Sequence, residues 1–237
     1  AQTQRAVNNF PISGIKMDFP FTKSFVSSLG LIKDAAAKAN LRLKLISSKK
    51  SKAISKASKE VWQEKHHNEF PIDVFQTGSG TSSNMNANEV IANIATKYAK
   101  FEISPNDDVN MSQSSNDVIP TAIKLSAHMD LTKKLFPALD GLIKSINDKA
   151  ESIKGTIKTG RTHLMDAMPI DFSEELKAWS SQLESSKEML NVIEKKFLEL
   201  SQGGTAVGSG INAHKQFAKL FAQEITKLTK NKYKFKP

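Results

Sequence analysis

Apolar residues recur along this chain in alternating steps of three and four. One series runs Ala122, Leu125, Met129, Thr132, Phe136, Leu139, Ile143, Ile146, Ala150 and Ile153, and a second runs Leu176, Trp179, Leu183, Ser186, Leu190, Ile193, Phe197 and Leu200. That period puts one face of each helix on a seam, as in packed, nearly antiparallel rods. Shorter series predict a helix over 23–43, with Phe25, Leu29, Ile32, Ala36 and Ala39 inward. Another is expected over 50–65, with Ile54, Ala57, Val61 and Trp62 inward and Ser47 or Ser48 as its cap. Further helices are predicted over 84–100, capped by Ser82 or Ser83, and over 215–228, with Phe217, Leu220, Phe221 and Ile225 inward. Residues 1–20 mix polarities around Pro11, Gly14 and Pro20 and read as extended or loop. Pro120 falls near the first turn of the first long helix, Pro137 should bend it, and Lys154-Gly155 should end it. After residue 228 no folded finish is expected. The fold class is mainly all-α.

Composition narrows the chemistry. The chain has 237 residues, 39% of them hydrophobic, and no window approaches the roughly 20 apolar residues of a membrane span. No secretory leader is expected from its first residues, and Ala1 to Arg5, without an initiator methionine, reads as a chain already under way. The absence of cysteine excludes disulfides, thiolate metal sites and a cysteine nucleophile, and suits a reducing compartment. The net charge is +10. Its excess lies in Lys49, Lys50, Lys52 and Lys56 and in the tail from Lys227 to Lys236. Aromatic residues make up only 7% and do not alternate with these lysines, so solvated faces are expected rather than a nucleic-acid platform.

Several polar clusters punctuate the helical pattern. The stretch Lys158 to Pro169 reads as a polar loop between the two longest rods, and it carries His163, an imidazole that can titrate near neutrality. Gln76 to Asn86 and Met111 to Asp117 each lead into a helix. Hydroxyls, amides and glycines there offer backbone N–H groups and a positive dipole end to a carboxylate or phosphate. Ser114 or Ser115 is the expected cap of the second. No Gly-Lys-Ser/Thr follows the first at P-loop spacing. Four glycines between Gly203 and Gly210 allow close backbone approach. His66 and His67 are adjacent and cannot share a helix face, so no metal pair is expected. His128 and His214 fall within helical patterns and read as structural.

These clusters resemble class II fumarase, of the fumarase/aspartase superfamily. The matching stretches are Gln76 to Glu89, Pro105 to Thr121, Gly160 to Pro169 and Gly203 to Asn212; Ala1 to Arg5 and Phe70 to Ile72 fit as well. The resemblance implies a cofactor-free lyase that reversibly adds water to fumarate to give L-malate, a reaction of the tricarboxylic acid cycle. It implies a cytoplasmic homotetramer built on long helices, with each active site shared by three chains. It also implies an N-terminal lyase domain over 1–111 and the first part of a central long-helix bundle over 112–237. His163 matches the family's catalytic histidine. Ser79, Gly80, Thr81, Ser114, Ser115, Asn116 and Thr162 match substrate contacts. Ser104, Pro105, Asn106 and Asp107 match part of a secondary dicarboxylate site. No metal, membrane or nucleic-acid partner is implied.

The chain departs from the family pattern in places. Ser104 stands where a histidine is usual, and Phe101 is near the place of an expected arginine. The mobile serine loop, of the type Gly-Ser-Ser-x-Met-Pro-x-Lys-x-Asn, is absent, as is the glutamate that partners the histidine. The chain thus corresponds to the front half of such a protein and is expected to be inactive alone. Aspartate ammonia-lyase shares the scaffold, but its pattern has glutamine at the place of His163 and threonine at that of Ser115. A non-catalytic helical module is the remaining alternative.

Overall fold

A helix, α1 (Gln2–Asn9), opens the chain where the sequence predicts an extended segment or loop. Its order comes from elsewhere in the chain. Glu89 accepts hydrogen bonds from the Gln2 and Thr3 amides at 2.6 and 3.1 Å and from the Thr3 hydroxyl at 2.6 Å. A distant carboxylate therefore satisfies the orphan donors of the first turn. The structure, a computed structural model, describes residues 1–17, 22–230 and 232–237; Pro20, one of the expected breakers, lies outside them.

The next helices form the core. Helix α2 (Lys23–Arg42) is buried along most of its length, and α3 (Ser48–Trp62) starts where Ser47 accepts the Lys50 amide at 3.3 Å. The two meet at backbone distance. A Cβ on Gly30 would sit 2.7 Å from the Trp62 nitrogen and 3.0 Å from the Ser58 carbonyl, so only glycine fits. Helix α4 (Thr81–Ala99) begins three residues before the predicted start, with Gly80 as its cap residue at φ +67°. Ser83 does not cap it; Gln76 clamps Ser83 instead, accepting its amide at 2.8 Å and donating to its hydroxyl at 2.7 Å.

Helix α5 (Ser115–Asp130) carries Pro120 inside rather than in its first turn. A wide π-type turn, Leu131–Leu135, separates it from α6 (Phe136–Ser152). Pro137 follows directly. In a regular α-helix a proline ring clashes with the carbonyl four residues back, here that of Lys133, which lies within the widened turn. Helix α6 ends before Gly155, at φ +86°. Strands β1 (Ile157–Thr162) and β2 (Met165–Asp171) pair antiparallel, correcting the loop expected there. Asp171 then starts α7 (Phe172–Glu194), accepting the Ser173 amide at 2.9 Å and the Gly155 amide at 2.8 Å. Helix α8 (Phe217–Leu228) comes last. His214 lies before it rather than in a helix and accepts the Gln216 amide at 3.1 Å.

The chain divides into two compact units. The first, residues 1–128 and 197–237, holds the core built by Leu29, Ile32, Ile54, Ile91, Phe217 and Ile225. It includes the tail, which has a folded finish after all. The Leu200 amide donates to the Lys236 carbonyl at 2.8 Å and the Lys236 amide to the Leu198 carbonyl at 2.9 Å, and Tyr233 and Phe235 pack edge-on to the buried His128 at 4.3 and 5.9 Å. The second unit, residues 129–196, is the α6–α7 pair with its hairpin. Lys187 pairs with Asp140 across it. Phe136, Leu139, Ile143, Ile146 and Ala150 turn inward on α6 as predicted. On α7 the inward line is Leu176, Ser180, Leu183, Lys187, Leu190 and Glu194, while Trp179, Ser186 and Ile193 face out. Among the described residues no helix is long and apolar enough to cross a membrane.

Candidate functional site

Two helix N-termini lie side by side in the first unit. Thr81 begins α4 and Ser115 begins α5. A Cβ on Gly80 would press on the Ile119 side chain at 3.0 Å, so the turn before α4 rests on the first turns of α5. Asn84 joins them, donating to the Ser115 hydroxyl at 3.0 Å. Ser79 and Thr81 are exposed, with their hydroxyls 2.9 Å apart. Ser114 and Asp117 cap α5 reciprocally: the Ser114 hydroxyl accepts the Asn116 amide at 3.2 Å, and Asp117 accepts the Ser114 amide at 2.9 Å. Such termini present unpaired N–H groups and positive dipole ends to an anion.

Beneath this surface is a polar layer that the sequence reading missed. Lys33 of α2 has no exposed surface. Its ammonium donates to Asn84, Asn110 and Gln113 at 2.8, 2.9 and 3.0 Å. Burial pushes its pKa down to about 7, with Asp117 pulling the other way. Asp117 is itself buried and accepts the Gly203 and Thr205 amides at 3.0 and 2.9 Å. Asn116 donates to the Ala206 carbonyl at 2.7 Å. The glycine-rich segment is thus tied to the start of α5. Its own close approach is to α8, where a Cβ on Gly203 would lie 2.5 Å from that of Ala218. The signal for Lys33 was present: a lysine at a position flanked by the apolar face of 29, 32 and 36.

The first loop is also anchored at its root. Asp73 is buried at the turn before Gln76. Burial raises its pKa, but hydrogen bonds from the Phe75 and Ser13 amides, the Ser13 hydroxyl and the Gly14 amide prevail and bring it to about 2. Ser104, Pro105, Asn106 and Asp107 form a capped π-type turn in which Ser104 and Asp107 bond each other, hydroxyl to carboxylate at 3.0 Å and amide to hydroxyl at 3.1 Å. Pro105 and Asn106 line a cavity of about 570 Å³ together with Gln4, Arg5 and Asn8 of α1.

His163 lies in the second unit, at the tip of the hairpin. The turn is two residues long, His163 at φ 48° and Leu164 at φ 62°. Both positions are left-handed, as a tight hairpin of this type demands, and histidine tolerates the conformation better than most side chains. Thr162 and His163 are exposed, and Leu164 is 96% exposed. The register shifts between Thr159 and Arg161. Gly160 there has no room for a side chain, since a Cβ would lie 2.6 Å from the Met168 carbonyl. At the hairpin's base Lys158 pairs with Glu175 and lies 4.8 Å over the Phe172 ring. The structure brings Ser79, Gly80, Thr81, Ser114, Ser115 and Asn116 together. Thr162 and His163 belong to the other unit. His66, one of the adjacent pair, bonds Glu60 at 2.8 Å.

Fold and side chains together describe a mainly helical protein whose uncharged donors gather at helix N-termini, with a histidine presented on a hairpin tip. The family model described as Lyase matches residues 1–237, and the chain belongs to that family. A fumarate hydratase class II of Pseudomonas aeruginosa is 48% identical over 229 residues, covering 97% of this chain and 49% of the relative. A fumarate hydratase class II of Bacillus subtilis is 44% identical over 242 residues, covering all of this chain and 52% of the relative. The crystal structure of class II fumarase from Schistosoma mansoni superposes with a TM-score of 0.92 at 39% identity, over 100% of this chain and 53% of that one. The chain spans about half the length of the curated relatives it matches.

Proposed function

We propose that this chain contributes part of the active site of a fumarate hydratase, which reversibly adds water to fumarate to give L-malate. The observation that carries the reading is the paired N-termini of α4 and α5, joined by the Asn84–Ser115 bond. Fumarate is a flat dianion. Ser79, Thr81, Ser115 and Asn116, with the helix N–H groups, offer neutral oriented donors to one carboxylate. Malate formation joins a water oxygen to one alkene carbon and a proton to the other. As the C–O bond forms, His163 accepts a water proton, and the alkene electron pair moves onto the far carbon and its carboxylate as an aci-carboxylate. That carboxylate then carries extra negative charge, so donors fixed on it act more strongly in the transition state than in the ground state. The carbon-bound proton comes from a group on the serine loop that this chain lacks.

The apolar side chains left exposed on α6 and α7, including Trp179, Met189 and Val192, support assembly of several copies with shared sites, as a homotetramer. We further assign Ser104, Pro105, Asn106 and Asp107 to a secondary dicarboxylate site, with Arg5, on the same cavity as Asn106, as its cation. A cytoplasmic setting fits the cysteine-free composition.

The test is an absorbance assay on the intact protein with L-malate and, separately, with L-aspartate. Turnover of malate and not aspartate is expected, and the reverse selects an ammonia-lyase. His163→Asn should lower kcat by about 10²–10⁴-fold, the usual worth of a general acid–base group. The 237 residues alone should show no turnover.

A further inference from the structure

Lys33 is a residue that the proposed chemistry does not use. A cation at the centre of a packed helix is costly, because its hydration is lost and must be replaced in full. Here it is replaced by three amide oxygens, from Asn84, Asn110 and Gln113 at 2.8, 2.9 and 3.0 Å. An ammonium has three donors and no acceptor, so these bonds saturate it. Among the described residues no carboxylate forms an ion pair with it. An apolar side chain of similar length would fill the same space. The charge therefore does something that packing does not.

What it does is choose the orientation of Asn84. A primary amide has two ends of nearly equal shape, an acceptor and a donor. An ammonium can face only the oxygen. The NH2 group must then point the other way, toward the Ser115 hydroxyl at 3.0 Å and the Asn110 oxygen at 3.3 Å. Ser115 Oγ accepts that bond, so its own proton is directed elsewhere, free to be donated to a ligand oxygen. Were Asn84 reversed, Ser115 would spend its proton on the amide oxygen and show only lone pairs to a dianion.

We propose that Lys33 is a positioning residue that acts through Asn84 to make Ser115 a hydrogen-bond donor toward the substrate carboxylate. The proposal rests on the reading of Ser115 as a substrate contact. The intact protein is assayed with L-malate below pH 7, where Lys33 keeps its proton, as Lys33→Met, Ser115→Ala and the double variant. Each single change is expected to raise KM about tenfold and to lower kcat as well, the loss of one hydrogen bond to bound substrate that strengthens as the carboxylate gains charge. The double variant should be no worse than Ser115→Ala. Effects that multiply overturn the proposal while leaving Ser115 a contact. An unchanged KM in Ser115→Ala overturns the underlying reading, and the proposal with it. If Lys33→Met fails to assemble, Asn84→Asp keeps a partner for the ammonium and removes the donor to Ser115. It should raise KM on the wild-type background and have no effect on Ser115→Ala, and an unchanged KM in Asn84→Asp overturns the proposal.

Discussion

Helices α2 and α7 are of similar length, yet they keep opposite company. Helix α2 has apolar and polar side chains buried on every side, down to Lys33, Asp34 and Asn40. Helix α7 buries only Ser173 and Ser180 fully, while Trp179, Met189 and Val192 stand 50%, 62% and 69% exposed. Burial on all sides leaves α2 no freedom to shift, so it can hold a polar layer in register. Helix α7 has one seam satisfied by α6 and a second apolar line with nothing of its own unit upon it. The first unit carries its own core, while the second leaves an apolar line exposed.

The comparison breaks most readily in the core. Leu29 is wholly buried, and Leu29→Ala should cost about 2–5 kcal/mol, lost transfer energy plus a cavity. Chemical denaturation of the chain would measure this. A loss no larger than that of an exposed α7 residue would mean that the two helices differ less than their burial implies.

Lys33 gives the next effect, and it depends on pH. Its pKa is lowered from 10.5 to about 7 in the folded chain, by burial chiefly, with Asp117 opposing. Between those values the unfolded chain holds a proton that the folded chain has released, so this group makes stability rise with pH through that window. Below about 7 the charge is present in both states and its burial cost is felt in full. The unfolding midpoint of the wild type should therefore gain on that of Lys33→Met as pH rises from 7 toward 10.5. A difference that stays flat would mean that the ammonium is well solvated.

What the sequence revealed follows the same division. The mainly helical class and the positions of α2, α3 and α8 were legible, because each carries an apolar stripe at helical period. Helix α1 was not, since its polar sequence is stabilised by Glu89, far away in the chain. The hairpin read as a loop because β2 is exposed along almost its whole length, so no alternation of apolar and polar residues marks it, and His-Leu is not a familiar turn pair. On α7 the apolar period serves two lines rather than one seam. Trp179 and Ile193 belong to the outward line, and the inward places are taken by Ser180, Lys187 and Glu194. Periodicity alone does not say which partner a stripe is meant for. Lys33 was overlooked because a single lysine inside an apolar helix leaves the period almost unchanged. The clustered polar residues 79–81 and 114–116 were visible as motifs, while the amide layer that joins them is dispersed over residues 33, 84, 110 and 113.

The smallest stability effect tests the other half of the comparison. Met189→Gln with Val192→Ser should change the unfolding free energy of the chain itself by no more than about 0.5 kcal/mol per substitution, as for surface positions without special contacts. The same pair should weaken assembly of the intact protein. An apolar line of this kind gains about 25 cal/mol for each Å² it hides from water when another helix covers it. Sedimentation of the double variant at falling concentration should show dissociation before the wild type. If instead the isolated chain lost several kcal/mol, the outward line would be part of the unit's own core. If assembly were untouched, partner helices would not seat on that line. Only the combination of a silent effect on folding and a visible effect on association fits a helix whose second face is reserved for another chain.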